Sequence, residues 1–233
     1  MTHPLDNPVW ASLTSRHAHL ARSCGRVARY PSPVAPFAAV GSDTQSASDE
    51  LASLMASTES VLFVGPCPDL PSHWSVQAPV PIAQMLCRSR IGRVDGPELT
   101  ELSGPQLADM LALTALVYPH YFRPRTPEMG RYIGIYDGSV LAAMAGERMG
   151  FDGYQEISAV CTHPDYTGRG YAQRLVAELS NASLDAGRVP FLHVSHENTR
   201  AKALYERLGY VHRTDVPLWS VRRVADPPAY PAS

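Results

Sequence analysis

Apolar and polar positions alternate most clearly in the second half of the chain. Residues 157–162 form a short apolar run typical of a buried strand, and Pro164 prevents that strand from continuing because proline has a fixed φ and no amide donor. After a loop that contains Gly168 and Gly170, apolar residues return at helical spacing over 175–179. The pattern therefore predicts a strand, a glycine-bearing turn and an amphipathic helix in succession.

Similar but weaker patterns predict the other elements from residue 96 onward. Asp137-Gly138 is a strong hairpin signal, because these residue types accept the backbone of a tight turn, and Gly187 and Gly209 are typical of helix ends. The predicted elements are strands at 97–102, 156–162 and 190–195, helices at 105–117, 168–186 and 198–208, a hairpin of 131–136 with 140–149, and a terminal hairpin of 210–213 with 218–222.

The first 95 residues carry a less regular pattern. The predicted elements are helices at 10–22 and 48–56 and strands at 60–64 and 82–87. Their alternation favours a small α/β lobe packed against the rest, with a degenerate copy of the main domain as the alternative. We therefore divide the chain into an N-terminal lobe (1–95), a main domain (96–224) and a flexible, proline-rich tail (225–233).

Composition and charge limit the classes of function. The net charge of −2 over 233 residues argues against a nucleic-acid partner bound through bulk positive charge. The four cysteines are far apart and form no Cys-x-x-Cys pair, so we expect reduced thiols and no metal site. The apolar stretch at 107–117 is too short to span a bilayer, and the N-terminus lacks the pattern of a signal peptide. We predict a cytoplasmic protein that binds neither nucleic acid nor membrane.

The loop over 167–172 has the features of a phosphate-binding site. Gly168 and Gly170 allow backbone conformations closed to other residues, and the helix that follows begins with unpaired amides and a partial positive charge that favour an anion. A plain tight turn without a ligand is the alternative interpretation. The loop lacks the Lys-Ser/Thr of a P-loop and the third glycine of the dinucleotide fingerprint, which excludes those two classes.

Two sequence blocks identify a family. The first, at 156–179, contains His-Pro-x-Tyr followed by Thr-Gly-Arg-Gly-Tyr-Ala, and the second, at 198–210, is Asn-x-x-Ala-x-x-Leu-Tyr-x-x-x-Gly-Tyr. Together they resemble the GNAT superfamily of N-acetyltransferases, and within it the FR47-like branch, over about residues 95–223. The resemblance implies an α/β fold of the α+β kind, with a mixed, mostly antiparallel central sheet that is splayed at its fourth and fifth strands. Thr167 departs from the family pattern, which has Gln or Arg there.

The resemblance also implies acetyl-CoA as the cofactor and assigns residues to it. The loop amides would hold the pyrophosphate, the backbone of Val160, Cys161 and Thr162 would pair with the pantetheine arm, and the Asn198 amide would hydrogen-bond that arm. Core packing is the alternative for Val160 and Cys161, and an N-cap role is the alternative for Asn198. The residues assigned to the cofactor are Val160, Cys161, Thr162, Thr167, Gly168, Arg169, Gly170, Tyr171, Ala172, Asn198, Ala201 and Tyr205.

Acetyl transfer to an amine needs a base, an acid and a stabilised oxyanion. By resemblance, Tyr205 is the acid that protonates the departing thiolate, although a half-buried core tyrosine also fits the pattern. Glu156 and His193 compete as the base; the alternatives are a carboxylate facing water and a hydrogen-bonded strand histidine. We favour Glu156, which lies eleven residues before Thr167, the spacing at which the resemblance implies a catalytic glutamate on the fourth strand. A partly buried carboxylate there would have a raised pKa and could accept a proton directly or through water. Histidine, as a residue type, titrates near neutral pH.

The acceptor is predicted only as a class, a primary amine on a small molecule or a peptide. The candidate acceptor-binding residues are Tyr121, Phe122, Arg123 and Glu147, with Tyr118, His120, Arg125 and Arg148 as further members of the wall. We expect direct attack in a ternary complex, catalysed by a monomer or homodimer in which Cys161 is a packed thiol and not a nucleophile. The alternative function is a non-catalytic acyl-CoA-binding or sensor module on the same fold.

Overall fold

The computed structural model describes residues 3–41, 47–56, 58–119 and 121–224 of the chain. The predicted tail at 225–233 lies outside these described residues. The helices are α1 Pro8–Leu13, α2 Ser48–Leu54, α3 Leu107–Val117, α4 Tyr171–Asp185 and α5 Thr199–Arg207. The strands are β1 Arg22–Cys24, β2 Val27–Arg29, β3 Ala38–Val40, β4 Ser60–Val64, β5 Trp74–Val76, β6 Val80–Leu86, β7 Thr100–Glu101, β8 Tyr132–Asp137, β9 Val140–Phe151, β10 Tyr154–Thr162, β11 Val189–Ser195 and β12 Val211–Arg223.

A nine-stranded sheet forms the centre of the molecule. Its strand order is β4-β12-β6-β11-β10-β9-β8-β7, and β5 pairs with the end of β12 on the edge opposite β4, the edge that β6 also uses. The pair β10–β11 is parallel, and the other pairs along this order are antiparallel. This arrangement confirms the prediction of a mixed, mostly antiparallel central sheet. Strands β1, β2 and β3 form a separate small sheet that the sequence patterns did not predict.

Strands from the first 95 residues are part of the central sheet. β6 lies between β11 and β12, pairing with both. β4 extends the sheet beyond β12, and β5 pairs with the end of β12 on the same edge as β6. The sheet is therefore shared across the boundary that we predicted at residue 95. The division of the chain into two domains, an N-terminal lobe of 1–95 and a main domain of 96–224, stays a prediction.

Helices and the small sheet cover the two faces of the central sheet. On one face α4 buries Leu175, Val176 and Leu179 against Ile133 and Leu192, which confirms the amphipathic helix that the spacing predicts. On the other face α1 and the segment around β2 and β3 pack on the far end of β9 and on β11, and α3 packs on β8, β9 and β10. The central sheet is thus covered on both sides.

Two sequence predictions fail. The helix predicted at 10–22 ends at Leu13, with Thr14 as its C-cap, and the chain continues through a 3-10 turn at Ala18–Leu20 into β1. The predicted terminal hairpin is one strand, β12, with a register shift between His212 and Thr214. The residues between the two predicted arms contain no glycine to reverse the chain, so the strand bulges and continues.

No helix in the described ranges is long and apolar enough to cross a membrane. Among the same residues, no group of three or more His, Cys, Asp or Glu side chains is placed to hold a metal ion.

Candidate active site

The site lies where two neighbouring strands of the central sheet separate. β10 and β11 pair at three positions, from Tyr154 with Val189 to Glu156 with Phe191, and no later pair joins them in the described chain. Residues 157–161 of β10 and 193–195 of β11 then line a cavity of about 640 Å³. The predicted splay of the sheet is therefore confirmed, and it opens a cavity between the two strands.

A bulge in β10 shapes the edge of this cavity. Ser158 pairs with Gly146 and Cys161 with Met144, so β10 has one residue more than β9 in this interval. Ala159 takes a φ of 50°, a left-handed conformation that is strained for a residue with a Cβ. Ile157 packs on the α4 side of the sheet whereas Cys161 packs on the α3 side. The bulge frees the backbone of Ala159 and Val160 from the ladder with β9, at the wall of the cavity.

The thiol of Cys161 is suited to packing rather than to nucleophilic attack. Its side chain is buried, and burial raises the pKa of the thiol to about 12. Because a thiolate is the nucleophilic form, this cysteine is unreactive at neutral pH. The geometry supports the prediction of a packed thiol.

Helix α5 supplies the opposite part of the cavity wall. Asn198, Ala201 and Tyr205 line it, and Asn198 caps the helix by accepting a hydrogen bond from the Ala201 amide at 3.1 Å. The N-cap interpretation of Asn198 is thus confirmed, while its role toward a cofactor stays a prediction. Tyr205 is buried, and burial followed by the nearby Cys161 raises the pKa of its phenol, so the phenol keeps its proton at neutral pH.

The predicted phosphate loop leads directly into α4. Gly168 and Gly170 have φ values of 82° and 77°, and Gly170 is the N-cap of the helix. No heavy atom of the described residues lies within 4 Å of a Cβ placed at either glycine, so space is open above the loop. The first amides of α4 have no intrahelical acceptor and carry the positive end of the helix dipole. The loop therefore fits an anionic group such as a pyrophosphate.

Side chains around the loop set its local charge. The hydroxyl of Thr167 donates to the Pro164 carbonyl at 3.1 Å, so this side chain holds the turn. The guanidinium of Arg169 lies 4.6 Å from the centre of the Tyr166 ring and 4.0 Å from a carboxylate oxygen of Asp137. Arg169 is half-exposed and adds a positive charge beside the loop amides.

Glu156 does not have the environment that we predicted for a base. It is fully buried, and Arg148 donates two hydrogen bonds to its carboxylate at 2.8 and 2.6 Å, while the Met149 amide donates a third at 3.3 Å. Burial alone would raise the pKa of Glu156, but the charge of Arg148 and hydrogen bonds from Arg148 and His193 outweigh it and lower the pKa to about 2. The prediction of a raised pKa is therefore wrong.

His193 is held between this carboxylate and an amide. Its Nδ1 lies 2.8 Å from Glu156, an acceptor, so Nδ1 carries the hydrogen. Its Nε2 lies 3.0 Å from the amide nitrogen of Gln84. The Gln84 nitrogen also donates to the Leu5 carbonyl, and the Gln84 oxygen accepts from Arg213, which fixes the orientation of the amide. Nε2 is therefore the accepting nitrogen of His193, a residue that lines the cavity.

The predicted acceptor-binding residues divide into two groups. Tyr121 and Phe122 line the cavity. Arg123 lies outside the cavity lining and donates to the backbone and hydroxyl oxygens of Ser32 at 2.6 and 2.8 Å, and Glu147 accepts a hydrogen bond from the Arg131 amide at 3.2 Å. Of the further wall candidates, Tyr118 and Arg148 line the cavity, Arg125 pairs with Glu128, and His120 lies outside the described residues.

Several lining residues were given no role by the sequence patterns, among them Phe37 and Tyr132, and the partner of a third, Arg148, was not predicted. Phe37 comes from the N-terminal region, where the pattern was too weak to single out any side chain. Tyr132 lines the cavity from β8, and the alternation of that strand could have placed it on the face opposite Ile133. Arg148, on β9, was a candidate for the wall, but its pairing with Glu156 across two strands has no signal in the sequence.

Comparison with known proteins agrees with this geometry. The family model for FR47-like protein matches residues 132–220. A solved structure from Novosphingobium aromaticivorans, described as an acetyltransferase of the GNAT family, is 32% identical, covers 96% of this chain and 100% of that chain, and has a TM-score of 0.87.

More distant structures share the fold alone. A GCN5-related N-acetyltransferase from Kribbella flavida is 15% identical, covers 94% of this chain and 95% of that chain, and has a TM-score of 0.61. A GCN5-related N-acetyltransferase-like protein from Streptococcus suis is also 15% identical, covers 93% and 92% of the two chains, and has a TM-score of 0.53. Comparison with curated proteins gives no match.

Proposed function

Because the chain belongs to the GNAT family of acetyltransferases, we propose that it transfers an acetyl group from acetyl-CoA to a primary amine by direct attack in a ternary complex. One observation carries the proposal: the cavity between β10 and β11 reaches both faces of the sheet. Tyr205 lines it from the core that contains α4, and Phe37 lines it from the opposite core. Two reactants can therefore approach from opposite faces and meet between the strands.

The residues present fit coenzyme A. The amides of the loop at 167–172 would hold its pyrophosphate. The backbone of Val160, Cys161 and Thr162, together with Asn198 and Ala201, would line its pantetheine arm along the open side of β10. Acetyl-CoA supplies the acetyl thioester when bound. No step requires Cys161, whose buried thiol is unsuited to carry an acetyl group.

Proton transfer is assigned to two residues on opposite sides of the gap. The phenol of Tyr205 donates a proton to the departing sulfur, since it is protonated throughout the neutral range. The Nε2 atom of His193 accepts a proton from the amine in place of the hydrogen bond from Gln84. Glu156 is a positioning residue, because its carboxylate holds the proton on Nδ1 and pairs with the imidazolium that forms.

A thiol-release assay tests the proposal. The protein is supplied with acetyl-CoA and a panel of primary amines, and free coenzyme A is measured against a sample without amine. We expect release above that background with at least one amine, and acetylated amine in equal amount. Tight acetyl-CoA binding with no release on any amine would contradict the proposal and favour the sensor function.

A variant of His193 in the same assay tests the base. His193→Gln should lower turnover roughly 10²-fold, because glutamine has no nitrogen that accepts a proton. Acetyl-CoA affinity should stay near that of the unchanged protein. A His193→Gln variant with unchanged turnover would exclude His193 as the base.

A further inference from the structure

The hydroxyl of Tyr132 is the feature of the cavity that the proposed mechanism leaves unused. Tyr132 is only 2% exposed, and it lines the cavity from β8. Among the described residues its hydroxyl has no hydrogen-bond partner. Buried hydroxyl groups in proteins nearly always have a partner, so an unpaired one beside a cavity calls for an explanation.

The position of this hydroxyl relates it to the reacting groups. Tyr132 packs in the same cluster as Cys161 and the bulge residue Ala159. The charges of Arg148 and Glu156 act on its phenol, and Glu156 of this ion pair is also hydrogen-bonded to His193. The ring is held in place by an edge contact with Phe122 at a centroid distance of 5.6 Å. Tyr132 is thus fixed in the part of the cavity wall that also contains the bulge of β10 and the Arg148–Glu156 pair.

The surrounding wall is aromatic. The ring of Tyr121 stacks on Phe37 at 6.3 Å and on Tyr118 at 5.2 Å. The guanidinium of Arg148 lies 4.9 Å from the centre of the Phe37 ring, and its charge is balanced by the Glu156 carboxylate. A wall of this kind favours an acceptor with an aromatic or aliphatic body over a polycation.

We propose that Tyr132 binds the acceptor, donating its hydroxyl hydrogen to an oxygen atom carried near the amino group of the substrate. The acceptor class is then an amine with an apolar body and a nearby hydroxyl or carbonyl oxygen, such as an amino alcohol or an amino-acid amide. This inference rests on the proposed acetyl transfer to an amine.

The test compares two amines that differ by one oxygen-bearing group, phenylalaninol and 2-phenylethylamine. The unchanged protein should have the higher kcat/KM with phenylalaninol. Tyr132→Phe should lower kcat/KM for phenylalaninol by roughly 2- to 12-fold, the range of one hydrogen bond, and leave the value for 2-phenylethylamine unaltered. Its melting temperature should not fall, because the lost hydroxyl had no partner to begin with.

Tyr136→Phe is the matched control. Tyr136 lies on the same strand and the same face, four residues further on, but its hydroxyl donates to Asp109 at 2.7 Å and it does not line the cavity. This variant should lose a little thermal stability and keep both kcat/KM values. A structural role for Tyr132 predicts the same behaviour for the two variants, so a drop in melting temperature without a change in kcat/KM would overturn the inference.

The remaining outcomes also decide the question. An equal loss of kcat/KM on both amines would place the hydroxyl on the acetyl group and overturn the inference while leaving acetyl transfer intact. Turnover of a polyamine such as spermidine, with neither phenyl amine accepted, would likewise overturn the acceptor class. Absence of thiol release with every amine would defeat the proposed function itself, and the inference with it.

Discussion

In the proposed mechanism Glu156 acts through its charge and does not accept a proton from the amine. All its hydrogen bonds come from donors on β9 and β11, and its carboxylate balances the guanidinium of Arg148, a side chain that is mostly buried, with 17% exposed. A buried ion pair is weak evidence for stability by itself, because both partners lose their hydration. What it does provide is a fixed orientation for His193, whose Nδ1 hydrogen points at the carboxylate.

Glu156→Gln should therefore destabilise the protein strongly. Glutamine leaves the Arg148 charge buried without a counter-charge, and we expect the free energy of unfolding to fall by about 3–5 kcal/mol. Urea denaturation at pH 7 measures this value. The double variant Arg148→Met with Glu156→Gln removes both charges and should regain most of the loss, so a double variant as unstable as the single one would contradict the explanation.

Tyr205→Phe separates acid catalysis from packing. The ring remains, so the core around α5 and the affinity for acetyl-CoA should be nearly unchanged, while turnover should fall by about 10²-fold. Tyr210→Phe is the control, because this neighbouring tyrosine shares a hydrogen bond with the Ser180 hydroxyl at 2.7 Å and does not line the cavity. Turnover of Tyr205→Phe that matched the control would exclude the phenol from the reaction.

The proposed binding of acetyl-CoA depends on the junction between β10 and α4. Its glycines have left-handed φ values and the helix that follows has fifteen residues, enough for a developed dipole. Gly170→Asp and Gly170→Asn form a matched pair, because both side chains tolerate left-handed φ and have nearly the same shape. They differ in charge.

Calorimetry with acetyl-CoA distinguishes the two variants. Asp at residue 170 places a negative charge where the pyrophosphate would bind, so its affinity should be at least about tenfold lower than that of the Asn variant. Raising the salt concentration should reduce the difference in acetyl-CoA affinity between the two variants, because salt screens the repulsion between the Asp carboxylate and the pyrophosphate. Equal affinities for the Asp and Asn variants would show that the anion binds elsewhere.

Sequence patterns predicted the elements that local chemistry determines. The turn at Gly138 and the helix ends at Gly187 and Gly209 all have positive φ, which is why glycine at these positions was informative. β12 was mistaken for a hairpin because its alternation is interrupted where the register shifts.

Pairings between distant parts of the chain could not be predicted in this way. β6 pairs with β11 and β12, two strands that follow it by more than a hundred residues in the sequence. No local pattern encodes the register of these pairings. The orientation of His193 depends on Gln84 from β6 as much as on Glu156. The predicted site residues were therefore found by motif, while the groups that set their hydrogen bonding appeared only in the structure.

The whole molecule is joined by contacts between its first and last segments. Arg213 of β12 donates to Asp6 at 2.6 Å and to Gln84 at 2.8 Å, and Arg123 binds Ser32 beside the small sheet. The N-terminal residues thus contact the loop that follows α3 as well as the central sheet. Removing the N-terminal region would also remove β6 and expose the edges of β11 and β12 that pair with it.

The N-terminal region also gives the molecule a pH-dependent stability. His17 is buried at 5% exposure, and burial, with the nearby charges of Arg16 and His19, lowers its pKa from 6.5 to about 4. Between pH 6.5 and about pH 4, the imidazole of His17 is protonated in the unfolded chain but neutral in the folded chain. Stability due to this residue is therefore complete above pH 6.5 and is lost as the pH falls toward 4.

We expect the free energy of unfolding to decrease by about 2 kcal/mol between pH 7 and pH 5 on account of His17. Urea titrations at the two pH values measure it. His17→Gln should flatten the difference, while His73→Gln, at an exposed histidine, should preserve it. Glu59 and Glu156 have pKa values lowered to about 2 and so titrate below this window. A His17→Gln variant with the original dependence would assign the effect to another group.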